Sequence, residues 1–182
     1  MLRYAILTLA VNREITGYEL SKVFDNTTTY VWPAGQNQIY PELQKLEAEG
    51  LLSGKGVDQD GRPAKRVFRI TDAGVQALDS WIATLPSFTT FRDAFQLRVF
   101  NFGRIPADIS LELIEHQQGQ LRERLGIFQA IADTIDRDGL PPGQDGWRMA
   151  VQAGIMTHQA YLDWCDWVRD RIVAREANQT AD

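Results

Sequence analysis

Apolar residues recur at helical spacing in two successive stretches at the start of the chain. Residues 2–12 are almost wholly apolar and predict a short, buried first helix. Thr16 and Glu19 follow three residues apart, a capping box in which each side chain accepts the backbone N–H of the other residue, and they predict the start of a second helix. That helix should end near Asn26, with an apolar face made of Tyr18, Leu20, Val23 and Phe24.

A third helix is predicted by apolar residues at spacings of four and three, namely Ile39, Leu43 and Leu46. Gly50 stands where a left-handed cap would end this helix. Pro41 lies near its front, although proline lacks the N–H of an interior helical residue. Two interpretations accommodate it: the helix begins near Gln38, so that Pro41 lies in the first turn, or the turn around Asn37 is irregular.

After Gly50 the pattern changes from helical to alternating. Residues 51–57 and 64–71 are short strand candidates, and residues 58–63 between them have turn composition throughout, so the three segments predict a β-hairpin. Thr71 then predicts the N-cap of a fourth helix, which should extend to about Leu85 because Pro86 ends it.

The second half of the chain has the pattern of long helices. Residues 90–103 predict a short amphipathic helix, and residues 108–138 and 147–176 predict two long ones with a break rich in Pro and Gly between them. Both long helices carry a coiled-coil-like seam, which is typical of an antiparallel hairpin that pairs with a second copy of itself. We therefore expect two domains, residues 1–86 and 87–176, and a disordered tail over residues 177–182.

Local charge narrows the possible functions more than overall composition does. The net charge of -5 argues against a protein that coats nucleic acid indiscriminately. Residues 55–69, however, contain five basic and two acidic residues, a local charge of +3, which suits either contact with a polyanion at one place or a solvated hairpin. No stretch is apolar enough to span a membrane, and a single cysteine fits a reducing cytoplasm.

The sequence contains no convincing set of catalytic or metal-binding residues. His116 and His158 have no second ligand at a suitable spacing. His158 and Cys165 are two helical turns apart, about 10 Å, which is too far for a nucleophile and its base. We interpret His158 as a seam residue, hydrogen-bonded across a dimer, and Cys165 as a small buried apolar residue. The sequence predicts neither an enzyme nor a cofactor.

The order of predicted elements in the first half, three helices followed by a basic hairpin, is that of a winged helix-turn-helix domain. The predicted fold class is therefore mainly α with a small β-hairpin: a winged helix-turn-helix domain followed by an α-helical dimerisation domain. The third helix of such a domain lies in the major groove of DNA. Its front here consists of side chains that suit base and phosphate contacts, Gln36, Asn37, Gln38 and Tyr40. The other interpretation is that these amides only cap the helix.

Three stretches of the first half resemble the PadR family of bacterial transcriptional regulators: YAILTLAVNREITGYEL, WPAGQNQIYPELQKLEAEGLL and GRPAKRVFRITDAG. The helical second half resembles the dimerisation domain of the longer members. The resemblance implies a cytoplasmic homodimer that binds a palindromic operator in double-stranded DNA, usually as a repressor released by a small effector. It places the DNA contacts at Gln36, Asn37, Gln38, Tyr40, Lys45, Arg62, Lys65 and Arg66.

Two glycines depart from the family pattern. Gly35 stands where many members have a serine that can cap the third helix and reach a phosphate, so one DNA contact of the family lacks its side chain here. Gly74 follows Thr71 at a capping-box position where a glutamate is common, which implies a small loss of helix stability.

Aromatic residues of the last helix form a candidate effector site, made of Trp147, Tyr161, Trp164 and Trp167. Trp164 and Trp167 lie three residues apart on one face and suit stacking on a planar, phenolic molecule. The same stripe also suits a protein core or a dimer interface. The resemblance favours the first interpretation, because effectors of the family include phenolic acids and flat hydrophobic drugs.

Two other functions are compatible with a winged helix. One is a protein-interaction module whose basic wing contacts an acidic protein surface, and the other is a ligand-binding dimer without a role on DNA. Neither explains why an amide-rich helix front and a basic hairpin occur together, so the sequence favours a DNA-binding regulator.

Overall fold

A computed structural model describes residues 1–11, 13–26, 34–59, 62–87, 92–141 and 144–179. The chain divides into two compact units, Met1–Phe88 and Thr89–Asp182. The first unit contains α1 (Leu2–Ala10), β1 (Ile15–Thr16), α2 (Gly17–Asn26), α3 (Gln36–Ala48), β2 (Leu52–Gln59), β3 (Arg62–Ile70) and α4 (Asp72–Ile82). The second contains α5 (Ala94–Val99), a 3-10 turn (Phe102–Arg104), α6 (Ala107–Asp138) and α7 (Asp145–Gln179). No helix within the described ranges is long and apolar enough to cross a membrane.

The first unit is a winged helix-turn-helix domain, which confirms the predicted fold class. Helices α1, α2 and α3 precede the β2–β3 hairpin, and α1 contacts both α3 and α4. The core of the unit is built from side chains that are almost fully buried: Ile6, Leu7, Leu20, Phe24, Ile39, Leu43, Leu46 and Phe68. At its edge, the ring of Tyr4 stacks on that of Trp81 with centroids 4.5 Å apart, which joins α1 to α4.

Local signals placed the start of α2, the end of α3 and the start of α4 correctly. Glu19 accepts the N–H of Thr16 at 2.8 Å, and Thr16 Oγ1 accepts the N–H of Glu19 at 3.1 Å, so the predicted capping box is formed. Gly50 has a φ of 73°, the left-handed conformation expected of the residue that ends α3. Thr71 caps α4 by accepting the N–H of Gly74 at 3.1 Å, also as predicted.

Four details of the sequence prediction were wrong. Residues 15 and 16 form a strand, β1, which pairs with β3 and extends the hairpin to a three-stranded sheet of order β1-β3-β2. Tyr18 is exposed, not part of the apolar face of α2. Helix α4 ends at Ile82, before Leu85. The last helix continues past residue 176 to Gln179, whereas residues 180–182 of the predicted tail lie outside the described part of the chain.

The position of Pro41 differs from the first-turn interpretation. Helix α3 begins at Gln36, so Pro41 lies in its second turn. The Gly35 carbonyl accepts two N–H groups, from Gln38 at 2.9 Å and from Ile39 at 3.1 Å, so the first turn mixes tight and regular hydrogen bonds. The proline removes one N–H donor from the second turn while the helix continues through it.

The second unit is built on the antiparallel hairpin of α6 and α7. Its core cluster contains Ile114, Leu121 and Leu125 of α6, facing Leu162, Cys165, Val168 and Ile172 of α7, with Phe95 and Phe102 packed at one end. Cys165 is fully buried, as predicted. His158 lies in the seam beside Phe128, but its Nδ1 is 2.7 Å from the Gly154 carbonyl oxygen of its own helix.

One polar pair lies inside this seam. Gln118 is 4% exposed, and its Nε2 donates to Asp166 Oδ1 at 2.9 Å. Since any shift of α6 along α7 would leave a buried amide without this acceptor, the pair fixes the register of the hairpin.

Gly74 gives a direct test of the packing between α4 and the segment that links α3 to β2. A Cβ atom at this position would lie less than 3.0 Å from the Leu51 carbonyl oxygen, a backbone atom that cannot rotate away. We expect Gly74→Ala to destabilise the protein by about 1–3 kcal/mol, although alanine favours helix. The measurement is the midpoint of urea unfolding.

The matched control is Gly56→Ala in β2, where a Cβ atom would meet no described atom within 4 Å. Equal stability of the Gly74→Ala and wild-type proteins would contradict the close approach of Gly74 to Leu51.

Candidate nucleic-acid interface

Helix α3 has a buried face, here called its rear, and an exposed first turn, here called its front. Ile39, Leu43 and Leu46 have no exposed surface, whereas Gln36, Asn37 and Gln38 are exposed. Asn37 lies on the side of the helix away from this buried face, whereas Gln36 precedes Ile39 on the same stripe and is exposed because it lies at the end of the helix. Lys45, on the same helix, is also exposed. The structure therefore leaves all three predicted amides exposed in the first turn of α3.

The two interpretations of the amides apply to different side chains. Gln38 Oε1 accepts the N–H of Gly35 at 3.3 Å, which is one half of a capping box, while glycine has no side chain to supply the other half. Asn37 occupies the space that a side chain at position 35 would need, since a Cβ atom there would lie 2.8 Å from Asn37 Oδ1. Gln38 thus caps the helix, whereas Asn37 lies against Gly35 and, like Gln36, is exposed.

Tyr40 holds the front of α3 against the start of α2. A Cβ atom at Gly17 would lie 2.6 Å from Tyr40 Cε1, so the ring rests directly on the glycine backbone. Even so, 45% of Tyr40 remains exposed. The residue therefore combines a packing role between two helices with a phenol at the surface.

An exposed aromatic and basic pair lies near the start of α2, next to Gly17. Tyr18 is exposed, and Lys22 Nζ lies 4.8 Å from the centre of its ring. In helix-turn-helix domains the helix before the recognition helix crosses the DNA backbone, which suits such side chains. Sequence reasoning missed this pair because it assigned Tyr18 to the core. The lysine four residues later would have indicated an exposed face.

The basic residues of the wing lie on two faces of the sheet. Lys65 pairs with Val57 and Lys55 with Val67 across the hairpin, and Arg69 follows on the same face. All three side chains are exposed. Arg66 lies on the other face, where its Nη2 donates to Glu47 Oε1 of α3 at 2.6 Å. The side chain of Arg62 lies outside the described part of the structure.

The aromatic candidates of α7 separate into different environments. Tyr161 and Trp164 are half-buried against the core, and the ring of Trp164 contacts that of Phe95 edge-on at 6.1 Å. The Tyr161 hydroxyl donates to Asp93, and burial together with this hydrogen bond raises the pKa of Tyr161 above its ordinary value. Asp93 also caps α5 by accepting the N–H groups of Phe95 and Gln96.

The remaining two aromatic candidates do not join this cluster. Trp167 is 56% exposed, with the Arg171 guanidinium 5.1 Å from its ring centre. Trp147 is fourteen residues before Tyr161 on the same helix, a separation of roughly 20 Å. An open hollow of about 300 Å³ lies instead beside α5, lined by Leu97, Arg98, Asn101, Phe102, Ile105 and Leu113.

The described side chains contain no group of three or more His, Cys, Asp and Glu residues that could hold a metal ion. The thiol of Cys165 is also unsuited to nucleophilic chemistry, because burial, together with the nearby Asp166 carboxylate, raises the pKa of Cys165 to about 11.

Comparison with known proteins gives matches across both units. Residues 6–80 match the sequence profile of the Transcriptional regulator PadR-like family, and residues 91–172 match that of Virulence activator alpha C-term. The Negative transcriptional regulator PadR of Bacillus subtilis (strain 168) is 25% identical over 171 residues, which cover 91% of this chain and 94% of that protein. Transcriptional regulator Rv3488 of Mycobacterium tuberculosis is 40% identical over 76 residues, which cover 42% of this chain and 67% of that protein.

A solved structure shows the same similarity in three dimensions. The crystal structure of Bacillus subtilis PadR in complex with operator DNA superposes with a TM-score of 0.83 at 25% sequence identity, covering 94% of this chain and 98% of that one.

The capping box at the start of α2 predicts a pH dependence. Hydrogen bonds from the Thr16 N–H and hydroxyl hold the pKa of Glu19 below its ordinary value of 4.5, with smaller contributions from Lys65 and Arg13. Since this pKa is lowered on folding, the stabilisation is complete above about pH 4.5 and is lost as the pH falls through the folded-state pKa. We expect Glu19→Gln to cost about 1 kcal/mol at pH 7 and progressively less below pH 4.5.

The measurement is urea unfolding of wild type and variant across this pH range. Glu14→Gln, which removes an exposed carboxylate nearby, serves as the control. A difference between Glu19→Gln and wild type that stays constant down to pH 2 would contradict the assigned cause.

Proposed function

Because the chain belongs to the PadR-like family of transcriptional regulators, we propose that it binds a palindromic operator as a homodimer and represses transcription there. As a member of this family the chain is a regulator and not an enzyme, as the sequence predicted. The observation that carries the proposal is the exposed amide front of α3 above a fully buried rear. Repression is supported by the matched B. subtilis protein, which is a negative transcriptional regulator. DNA binding is supported by the crystal structure of that protein in complex with operator DNA. The site of action would be the cytoplasm, where the chromosome lies.

In the proposed complex α3 lies in the major groove. Gln36 and Asn37 would read base edges, because an amide side chain can form two hydrogen bonds with adenine. Tyr40, Lys45 and the pair of Tyr18 and Lys22 would contact phosphates on either side. Gln38 contributes through the helix cap rather than through a base, since its Oε1 already accepts the Gly35 N–H.

The wing would contact the DNA backbone beside the groove. Lys55, Lys65 and Arg69 place three positive charges on one exposed face of the β2–β3 hairpin, and Arg62 belongs to the same hairpin. Such charges release counterions from DNA on binding, which gives affinity without sequence preference. An acidic chain can bind DNA in this way because the contact is confined to one basic segment.

The homodimer is supported by a second apolar stripe on α7. Met149, Met156 and Trp167 are all more than half exposed, and spacings of seven and eleven residues place them on one face of the helix. This face is opposite Cys165, which lies in the seam with α6. An exposed stripe of large apolar side chains is typical of an interface, and a second copy of α7 would cover it. We thus propose that residues 1–86 contact DNA and that residues 87–176 form the dimer.

The effector that we propose is a small planar aromatic molecule that contacts Tyr161 and Trp164. Both rings are half-buried, and the polar Asp93 carboxylate lies next to them. A phenolic hydroxyl could replace that of Tyr161 on Asp93 and thereby change the start of α5, which Asp93 caps. Trp147 and Trp167 would lie outside such a site. Release of bound DNA by planar phenolic acids, followed in a mobility-shift assay, tests this part of the proposal.

Selection of duplexes from a random pool by the full chain tests the DNA-binding proposal. We expect recovery of one sequence with two inverted half-sites about one helical turn, or a multiple of it, apart. Recovery of unrelated sequences, or binding of a protein partner in place of DNA, would contradict the proposal. A single half-site would contradict the dimer alone.

Two substitutions separate base contacts from phosphate contacts. We expect Lys65→Ala to weaken binding to all duplexes and to lower the slope of log affinity against log salt by about 1. Asn37→Ala should cost about 1–3 kcal/mol on the selected duplex and relax the preference at one base pair of each half-site. Gln76→Ala, which removes an exposed amide from α4, is the control and should change neither quantity.

A further inference from the structure

The recognition helix and the wing are joined by one carboxylate. Glu47 lies near the end of α3, and its Oε1 accepts two hydrogen bonds from the hairpin. One comes from the backbone N–H of Gly54 in β2 at 3.0 Å, and the other from Arg66 Nη2 in β3 at 2.6 Å. A single side chain of α3 therefore contacts both strands of the wing.

Gly54 makes this contact possible. A Cβ atom at this position would lie 2.5 Å from Glu47 Oε1 and 2.6 Å from Arg66 Nε. Since real Cβ atoms do not approach other atoms so closely, any larger residue would displace the carboxylate, the guanidinium or both. The glycine in β2 thus provides the space in which the Glu47–Arg66 pair packs on the strand.

The register of the sheet gives Arg66 different surroundings from those of its basic neighbours. Arg66 is paired with Gly56, and Phe68 with Gly54, so Arg66 shares the α3-facing side of the hairpin with the buried Phe68 ring. Its guanidinium lies 5.9 Å from the centre of that ring. Lys65 lies on the opposite face because successive residues of a strand alternate.

We propose that Glu47, Arg66 and Gly54 form a clamp that fixes the wing relative to α3, and that Arg66 is a positioning residue rather than a phosphate contact. The inference rests on the proposed DNA-binding function. Base contacts by α3 and backbone contacts by the wing must be made at the same time, so their spacing has to be set before binding. Only one short strand, β1, pairs with the hairpin, and so small a sheet is weakly restrained by itself. The Glu47 carboxylate of α3 supplies an additional restraint because it contacts both strands of the hairpin.

The clamp and simple electrostatics predict opposite effects for the loss of Glu47. Removal of a negative charge from a DNA-binding unit should strengthen binding if charge alone matters. The clamp predicts instead that Glu47→Ala weakens binding to the selected duplex by about fivefold or more, because the wing is no longer held. The control Glu49→Ala removes the same charge from the C-cap of α3, where the carboxylate contacts Arg3 of α1, and should not weaken binding.

The measurement is the dissociation constant at several salt concentrations for a duplex selected by the wild-type chain. The double variant of Glu47→Ala and Arg66→Ala should bind no more weakly than Glu47→Ala alone, since removal of Glu47 already breaks its contacts with both Gly54 and Arg66. Arg66→Ala should alter the salt slope by less than half of the change of about 1 expected for Lys65→Ala. Far-UV circular dichroism checks folding, and Glu47→Leu, which also lacks the acceptor oxygen, replaces any Glu47→Ala protein that does not fold.

Three results would overturn the clamp while wild-type binding is intact: unchanged or tighter binding by the Glu47 variant, additive effects in the double variant, or an equal loss of salt slope from Arg66→Ala and Lys65→Ala. Failure of the wild-type chain to select any duplex would be a different result. It would contradict the proposed DNA-binding function itself, and the clamp with it.

Discussion

Burial of the rear of α3 is the constraint on which the candidate interface depends. Ile39, Leu43 and Leu46 contribute no surface to solvent, and each buried aliphatic side chain of this size contributes about 1.5–3 kcal/mol through removal from water. Rotation of the helix about its axis would expose these side chains, so its orientation is fixed. Asn37 therefore faces solvent as a consequence of core packing, whereas Gln36, on the stripe of the buried residues, is exposed because it lies at the end of the helix.

Two glycines next to α3 also help to fix its position, because each lets a side chain of α3 pack on a neighbouring backbone. Gly17 allows the Tyr40 ring to lie on the backbone of α2, and Gly54 allows the Glu47 carboxylate to lie on β2. In each position a side chain would separate α3 from its neighbour. The first turns of α3 are thus fixed to the preceding helix, and its C-terminal end is fixed to the wing. These two attachments determine how the amides, the phenol and the basic residues are arranged in space.

Features that depend on neighbouring residues could be predicted from the sequence. The Thr16–Glu19 box, the cap at Thr71 and the left-handed Gly50 each involve residues within a few positions of one another, as does the seam of the long helices. The wing and the winged-helix order followed from these elements. Exposure of Asn37 also followed, because the helical period places it on the side of α3 away from Ile39, Leu43 and Leu46.

Features that depend on residues far apart in the sequence could not be predicted from it. Strand β1 exists because residues 15 and 16 pair with β3, some fifty residues later, and two residues carry no strand pattern of their own. The ion pair of Glu47 and Arg66 converts one predicted DNA contact into a candidate internal contact. Likewise, Tyr161 reaches Asp93 across 68 positions of sequence, whereas Trp147 remains far from both. The first-turn interpretation of Pro41 was wrong because the helix begins at Gln36, where Gln38 supplies a cap that Gly35 cannot. The mixed hydrogen bonds of the first turn agree with the other interpretation, an irregular turn around Asn37.

Entry of the first turn of α3 into the major groove can be measured by proximity cleavage. An Asn37→Cys protein can be labelled with an iron chelate at that position alone, because the thiol of Cys165 is buried and its pKa is raised. On the selected duplex, the account predicts two sets of strand cuts, related by the two-fold axis of the operator and centred in each half-site. Cuts spread evenly along the duplex, as free chelate produces, or cuts confined to its flanks would contradict it.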